Sequence, residues 1–508
     1  MKIMETLIEK IDKNQINEKI LAKAGEILKN GGLVAFPTET VYGLGANALD
    51  EEAAMKTYAA KGRPSDNPLI VHIADVSALD AIVTEVPEKA KKVMDKFWPG
   101  PLTLIFNKKD IVPLGTTGGL QTVAVRMPID EIARGLIRAG GGYISAPSAN
   151  TSGRPSPSTA QHVADDMTGK IDMIIDGGSV EIGVESSILD MTVEPPMILR
   201  PGAITKEMLE AVIGEVAVDT AILSDANGEA PKAPGMKYRH YAPKAQLMIV
   251  SGEPREAVKA IKQIAYEQER LGYKVGIIAT NETMDLYTKG IVKSIGSRSN
   301  ENSIAKNLYK VLREFDEEDV SYIYSEAFDK DGIGNAIMNR LDKAAGHHTI
   351  QAKDITRLQK YRRILFISNS DNCRGPMAAE LLRNQSLKKE YEVGSRGMVA
   401  LFPEPANPKA EVIMRSQNMT LEAHVATQLT ADDLDDETLV LTFEDAQKWK
   451  IASEYQNVKH VYTLSEYIED ERTIPSAHGK PLNVYGENFS ILQVLIKKLA
   501  DKLNEEEK

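Results

Sequence analysis

At 508 residues the chain is too long for one hydrophobic core, and at roughly 150 residues per domain it predicts about three domains. A composition of 42% hydrophobic and 26% charged residues suits packed cores, and a formal charge of -12 disfavours indiscriminate nucleic-acid binding through a global field, while leaving room for a local basic groove. The single cysteine, Cys373, excludes an internal disulfide framework and a cysteine-built zinc cluster, which suits a reducing cytosol.

The first fifteen residues mix charges of both signs with apolar residues and lack the continuous apolar core of a signal peptide. No run approaches the roughly 18 apolar residues of a membrane span, so the expectation is a cytoplasmic protein without membrane contact. Short apolar runs at 32–36, 68–72 and 102–106 then alternate with helical stretches such as Glu88–Phe97, an α/β pattern that predicts a twisted sheet with helices packed on it. The run Ser-Thr-Ala-Gln at 158–161 predicts a helix start with a capping box, in which Ser158 and Gln161 satisfy free backbone amides. This first segment closes near 198–202.

Prolines at both ends and Pro234-Gly235 prevent regular structure in the linker at 230–243. It also carries Lys237, Tyr238, Arg239, His240 and Tyr241, which a spacer does not need, so the linker is predicted to reach back over a site in the first segment. A strand at 246–250, a helix at 254–271 and a strand at 274–279 predict a βαβ unit and a small parallel sheet. No Gly-x-Gly-x-x-Gly accompanies it, so nucleotide binding there has little support. A strand at 363–367 runs into a polar loop and a helix from about Pro376, a recurring phosphate-binding arrangement. The expected boundaries are 15–210, a linker at 211–245, 246–350 and 361–508.

Residues 31–46 carry a strand into a turn rich in hydroxyls and glycine, and residues 61–72 offer Lys61 and Arg63 just before another strand. A guanidinium fixes oxyanions as a planar fork and an ammonium acts as a mobile point charge, so the pair could hold a polyphosphate. Taken alone, the same residues read more readily as a solvated basic turn and His72 as a structural histidine, while Thr40 and Ser186 could be turn ties, Ser156 an organiser of the next helix, and Arg126 and Arg200 structural ion pairs.

Together with Pro101-Leu-Thr103 and the runs at 123–128, 145–153, 185–188 and 200–202, these blocks resemble the threonylcarbamoyl-AMP synthase family, and the resemblance continues through the linker into the accessory domain of its long two-domain members, about the first 345 residues. It implies a YrdC-like twisted α/β sheet domain and a small Rossmann-like α/β domain. It further implies an enzyme that makes threonylcarbamoyl-AMP and pyrophosphate from L-threonine, bicarbonate and ATP, with Mg2+ accompanying the nucleotide. The product would pass to tRNA-modification proteins that install N6-threonylcarbamoyladenosine next to the anticodon. Carried onto this chain, the resemblance puts Lys61 and Arg63 at the phosphates. Thr40, His72, Arg126, Ala146 and Ser186 fall at L-threonine, and Asn67, Thr122, Ser148, Ser156, Arg200, Tyr238 and Tyr241 at ATP together with Arg63. Most of the catalytic burden in such a reaction is placement and charge neutralisation, which cations, hydroxyls and backbone amides can supply. A competing reading, an RNA-binding module without ATP turnover, predicts salt-sensitive RNA binding.

Residues 368–374, Ser-Asn-Ser-Asp-Asn-Cys-Arg, resemble the signature loop of low-molecular-weight protein-tyrosine phosphatases, a parallel-sheet α/β family. The resemblance sets Ser368 where that family has its cysteine nucleophile, Arg374 at its arginine, and Ser476 where it has its general-acid aspartate; Ser370 and Asp371 replace its usual Gly and Asn. A serine hydroxyl starts far too high in pKa for an arginine and a helix N-terminus to ionise it, so the domain is expected to be inactive as a phosphatase. Cys373 is not nominated as a substitute nucleophile, and Arg374 with the helix N-terminus is expected to attract an anion weakly. An active phosphatase is the alternative that Ser368 and Ser476 argue against.

Overall fold

The computed structural model describes residues 5–219, 241–356, 361–435, 437–455 and 458–506. They form two compact units, Met1–Lys353 and Asp354–Lys508.

In the first unit short apolar strands assemble a mixed 11-stranded sheet, and what positions the site is its centre. Ile70–His72 and Thr122–Arg126 run parallel with His72 opposite Arg126; Leu102–Asn107 runs antiparallel with Thr103 opposite Arg126; and Ser187–Asp190 starts beside Leu102. The last residues of two strands and the first residues of two others therefore share one edge of the sheet. Met197–Arg200 adds its own last residue, Arg200, opposite Ile188. Glu18–Lys29 and Glu131–Ala139 cover one face through Leu21, Ala24, Leu28, Leu136 and Ile137, and Glu88–Phe97 packs Val93, Met94 and Phe97 on another core. Asn17 caps the first of these helices by accepting from the amides of Lys19 and Ile20.

Two details differ from expectation. Leu7–Lys10, before the predicted start at 15, pairs in parallel with Met173–Asp176 and so belongs to the sheet; its charged, half-exposed residues hide it from an apolar-run criterion. The helix after 158 is Ala160–Met167, and its cap is Thr159, whose hydroxyl accepts from the His162 amide at 3.3 Å. Extended backbone at Thr159 moves the cap one residue on, so Gln161 falls at the second helical position and donates to Asp165, while the Ser158 hydroxyl lies 3.3 Å from His162 Nδ1. The capping box predicted for Ser158 and Gln161 is therefore corrected.

The accessory region of this unit is a five-stranded parallel sheet in the order Ile291–Ser294, Val275–Ala279, Tyr322–Glu326, Gln246–Ser251, Thr349–Gln351. The predicted strand, helix and strand are Gln246–Ser251, Pro254–Arg270 and Val275–Ala279. Its helix Glu301–Glu318 presses on the first sheet domain at Gly183, where a Cβ would sit 2.4 Å from the Ala305 carbonyl oxygen and φ is +86°, so this crossing requires glycine.

The second unit is a four-stranded parallel sheet, Glu392–Gly397, Arg363–Ser368, Thr438–Thr442, Val461–Thr463. Arg374–Arg383 and Leu482–Glu506 pack on it through Met377, Leu381, Leu492 and Leu499. The first of these helices begins two residues before Pro376, which its first turn tolerates because that amide has no intrahelical partner. Among the described residues no helix is long and apolar enough to cross a membrane.

Candidate functional site

Helix Glu51–Lys61 ends on Gly62 in the left-handed conformation, which releases Lys61 and Arg63 toward a cleft at the sheet edge. The Lys61 ammonium is buried and donates to the carbonyls of Ser148 and of Asn150 (2.6 Å), while its own carbonyl accepts from the Ser152 amide at 2.8 Å. Burial, and then the nearby Arg63, pull its pKa well below the ordinary lysine value. Arg63 donates to Asn67 Oδ1 at 2.6 Å and to the Asn67 and Pro68 carbonyls, and burial lowers it to about 10. Among the described residues neither cation has a carboxylate at salt-bridge distance, so an incoming anion would favour the charged form of both.

At the other end of the cleft, Arg126 donates to Thr40 Oγ1 at 2.9 Å and lies 2.7 Å from the Glu39 carboxylate; both partners are buried. His72 sits edge-on to Phe36, with Nδ1 3.1 Å from the Ile70 carbonyl. Burial, reinforced by Arg126, pushes its pKa down to about 3, so the ring is neutral at ordinary pH. Ser186 Oγ lies 2.8 Å from Thr103 Oγ1 and accepts from Arg200 at 3.0 Å, and Arg200 also donates to the Ser186 carbonyl at 2.9 Å. Tyr241, at the described end of the linker, lines the same cleft, and the next amide, Ala242, donates to the Gly153 carbonyl at 2.9 Å.

Of the residues singled out from sequence, Thr40, Lys61, Arg63, His72, Arg126, Ala146, Ser148, Ser186, Arg200 and Tyr241 line this one cleft. Asn67 and Ser156 stand behind it: Asn67 buttresses Arg63, and the Ser156 hydroxyl donates to Glu185 at 2.6 Å. Thr122, half-buried at the start of its strand, is outside the lining. Tyr238 lies outside the described residues. Sequence reasoning missed Glu39 and Glu185. Both sit inside the motifs themselves, and an acidic residue amid cations and hydroxyls was the available signal. Glu185 accepts from Ser156 through Oε1 and from Tyr309 and Arg340 through Oε2, both at 2.9 Å. Burial alone would raise its pKa, but Arg340, Arg200 and the Ser156 hydroxyl outweigh that and hold it at about 2.

In the second unit Ser368, Arg374 and Ser476 line a cleft with Asn372, Cys373 and His478. Arg374 is already engaged: it donates to Glu444 Oε1 and to the Ile474 carbonyl, both at 2.6 Å, and stacks 5.3 Å from the Phe443 ring centre. Asp371 is buried at φ +51°, accepts from the Thr427 amide at 3.0 Å, and has its pKa raised by burial. Burial also pushes the Cys373 thiol up to about 11 against the pull of Arg374, so it is protonated at neutral pH. The weak anion attraction expected of Arg374 thus meets a guanidinium whose charge Glu444 offsets.

Buried cations at one end of a cleft, and a buried arginine, neutral histidine and hydroxyls at the other, define an α/β protein built to hold two anionic ligands side by side. Residues 26–202 match the family described as "Telomere recombination" (Sua5, YciO and YrdC), residues 204–346 match "Threonylcarbamoyl-AMP synthase, C-terminal domain", and residues 363–508 match "Low molecular weight phosphotyrosine protein phosphatase". The chain is 50% identical over 352 residues to the threonylcarbamoyl-AMP synthase of Bacillus subtilis, covering 69% of this chain and 100% of that one. It is 48% identical over 340 residues to that of Pyrococcus abyssi, covering 67% and 98%. The crystal structure of Pyrococcus abyssi Sua5 complexed with L-threonine superimposes with a TM-score of 0.65 at 46% identity, covering 68% of this chain and 99% of that one. This chain belongs to the threonylcarbamoyl-AMP synthase family, extended by a domain of the low-molecular-weight phosphatase type.

Proposed function

We propose that the first unit makes threonylcarbamoyl-AMP and pyrophosphate from L-threonine, bicarbonate and ATP. The observation that carries the reading is the convergence of ten motif residues, from Thr40 to Tyr241, on one cleft that brings Lys61 and Arg63 together with Arg126, His72 and hydroxyls. The threonine-bound relative supports it.

In this reading Arg126, steadied by Thr40, receives the threonine carboxylate, and the neutral His72 and Ser186 flank the amino acid beside Ala146. The threonine amine adds to bicarbonate with loss of water to give a carbamate. A carbamate oxygen then forms a bond to the α-phosphorus of ATP as the bond to pyrophosphate breaks. Lys61 and Arg63 neutralise charge that builds on the phosphates, Asn67 holds Arg63 in place, and Ser148 and Arg200 hold the nucleotide. Their depressed pKa values mean that both cations gain when the polyphosphate arrives. Tyr241, which lines the cleft, closes over the nucleotide and excludes water from a hydrolysable mixed anhydride. Mg2+ fits here as an ion carried by the ATP phosphates, whose charge it would offset.

The product passes to proteins that modify tRNA next to the anticodon, in the cytoplasm where ATP and tRNA are found; any contact with RNA is weak. The second unit is a pseudo-phosphatase, because Ser368 and Ser476 remove nucleophile and acid and Glu444 offsets Arg374.

The test is pyrophosphate release by the full chain with ATP, Mg2+ and bicarbonate, with and without L-threonine. Threonine-dependent release that disappears in Lys61→Ala is expected. A folded sample that releases none would overturn the assignment in favour of RNA binding without turnover.

A further inference from the structure

The accessory sheet domain sends two side chains into the wall of the cleft, and neither belongs to any motif of the first domain. Arg340, on helix Gly334–Ala345, is 1% exposed although it is among the largest side chains in the molecule. Its Nε donates to Glu185 Oε2 and its Nη2 to the Pro201 carbonyl, both at 2.9 Å, and its guanidinium lies 5.9 Å from the ring centre of Tyr241. Tyr309, on helix Glu301–Glu318, donates to the same Glu185 oxygen at 2.9 Å and packs its ring 5.2 Å from that of Tyr241. Two residues therefore touch three separate pieces of the cleft wall: Glu185, the turn after Arg200, and Tyr241.

The cost of this arrangement argues for a role beyond packing. Burying an arginine and a glutamate removes both from water, and such a pair is often no more stabilising than apolar residues of the same volume. What a buried, fully hydrogen-bonded pair does supply is a fixed geometry. Here that geometry is transmitted to the nucleotide end. Glu185 holds Ser156 through its other oxygen, and Arg340 pins the backbone of Pro201 directly beside Arg200. Arg126 and His72 stand on other strands and receive no bond from either residue.

We propose that Arg340 and Tyr309 are positioning residues for ATP, through which the accessory domain completes the nucleotide end of the site by holding Glu185, Arg200 and Tyr241 in register. The proposal rests on the synthase reading only for the identity of the nucleotide. Tyr309→Phe removes a single hydroxyl and keeps the ring against Tyr241. Arg340→Lys keeps the charge and loses the fork that reaches Glu185 and Pro201 together.

On the full chain, calorimetric affinities for ATP and, separately, L-threonine are compared with KM for ATP and kcat. Both variants are expected to bind ATP about three- to tenfold more weakly, the scale of losing part of a charge-assisted hydrogen bond. L-threonine affinity should fall less than ATP affinity, because of the residues placed at the amino acid only Ser186 is bonded to Arg200, and KM for ATP should move more than kcat. A purely structural role would lower Tm, or both affinities together, without singling out ATP, and that result overturns the proposal. So does unchanged ATP affinity in folded Tyr309→Phe, which decides the matter if Arg340→Lys fails to fold. Wild type that binds ATP but releases no pyrophosphate sinks the synthase reading while the ATP affinities still judge Arg340. Wild type that binds no ATP sinks both.

Discussion

Lys61 and Arg374 are both buried cations beside clefts lined with hydroxyls, and their partners separate them. Lys61 is satisfied by the carbonyls of Ser148 and Asn150, Arg374 by the carboxylate of Glu444 and one carbonyl. A neutral acceptor meets the hydrogen-bonding demand of a cation but leaves its charge in place, whereas a carboxylate meets the demand and removes the field. In the first cleft Lys61 and Arg63 have no carboxylate at salt-bridge distance among the described residues, and burial depresses the pKa values of both. The second has spent its charge within the protein. Lys61 and Arg374 thus differ less as cations than in what satisfies them.

The largest expected effect tests the first of these cations. Lys61→Met should cut threonine-dependent pyrophosphate release by about 10²-fold or more, with a folded circular dichroism spectrum, because one preorganised charge-stabilising donor is lost. Activity within a few-fold of wild type would break the contrast between the clefts. Arg126 in the same cleft does have a carboxylate partner, Glu39. Glu39→Gln leaves that guanidinium buried without its countercharge, and urea denaturation should register a loss of about 3 kcal/mol or more; an unchanged midpoint would mean that Glu39 does not neutralise Arg126.

An effect absent above pH 6.5 follows from His72. Burial lowers its folded-state pKa to about 3 against 6.5 for the free side chain, so the stability tied to its neutral form is complete above 6.5 and drains away as pH falls toward 3. Each such group contributes a slope of up to about 1.4 kcal/mol per pH unit in that window. His72→Asn should flatten the acid limb of a Tm-versus-pH profile in part, since His162, lowered by burial to about 4, contributes a similar slope. A profile identical to wild type would show that His72 is not the neutral, buried ring described.

The smallest expected effect is none. Ser368→Cys should leave p-nitrophenyl phosphate hydrolysis at background, because Arg374 remains on Glu444 and Ser476 supplies no acid; measurable turnover from that single change would show that Glu444 yields Arg374 readily.

Much of this was legible along the chain. The elements whose apolar residues recur at a clean period, Glu88–Phe97, Gln246–Ser251 and Arg363–Ser368, fall where periodicity put them, with ends shifted by a residue or two. Leu7–Lys10 was not legible, because an edge strand with charged residues carries no apolar run. The cap at Thr159 was misplaced because Ser158 and Thr159 are chemically equivalent caps, and only the backbone conformation chooses between them.

The residue types that do the chemistry, and the order of the motifs carrying them, were determined by the sequence alone, since a hydroxyl, a guanidinium or a missing thiol is a covalent fact. Which of them meet was decided by the tertiary structure. Strand register set His72 against Arg126, and Arg340 reached Glu185 across 155 residues. Glu444 reached Arg374 across 70 and offset a charge that composition alone would leave to an anion. Hydrogen bonds and screened charges act over a few ångströms of space, and separation along the chain places no limit on them once the core has packed.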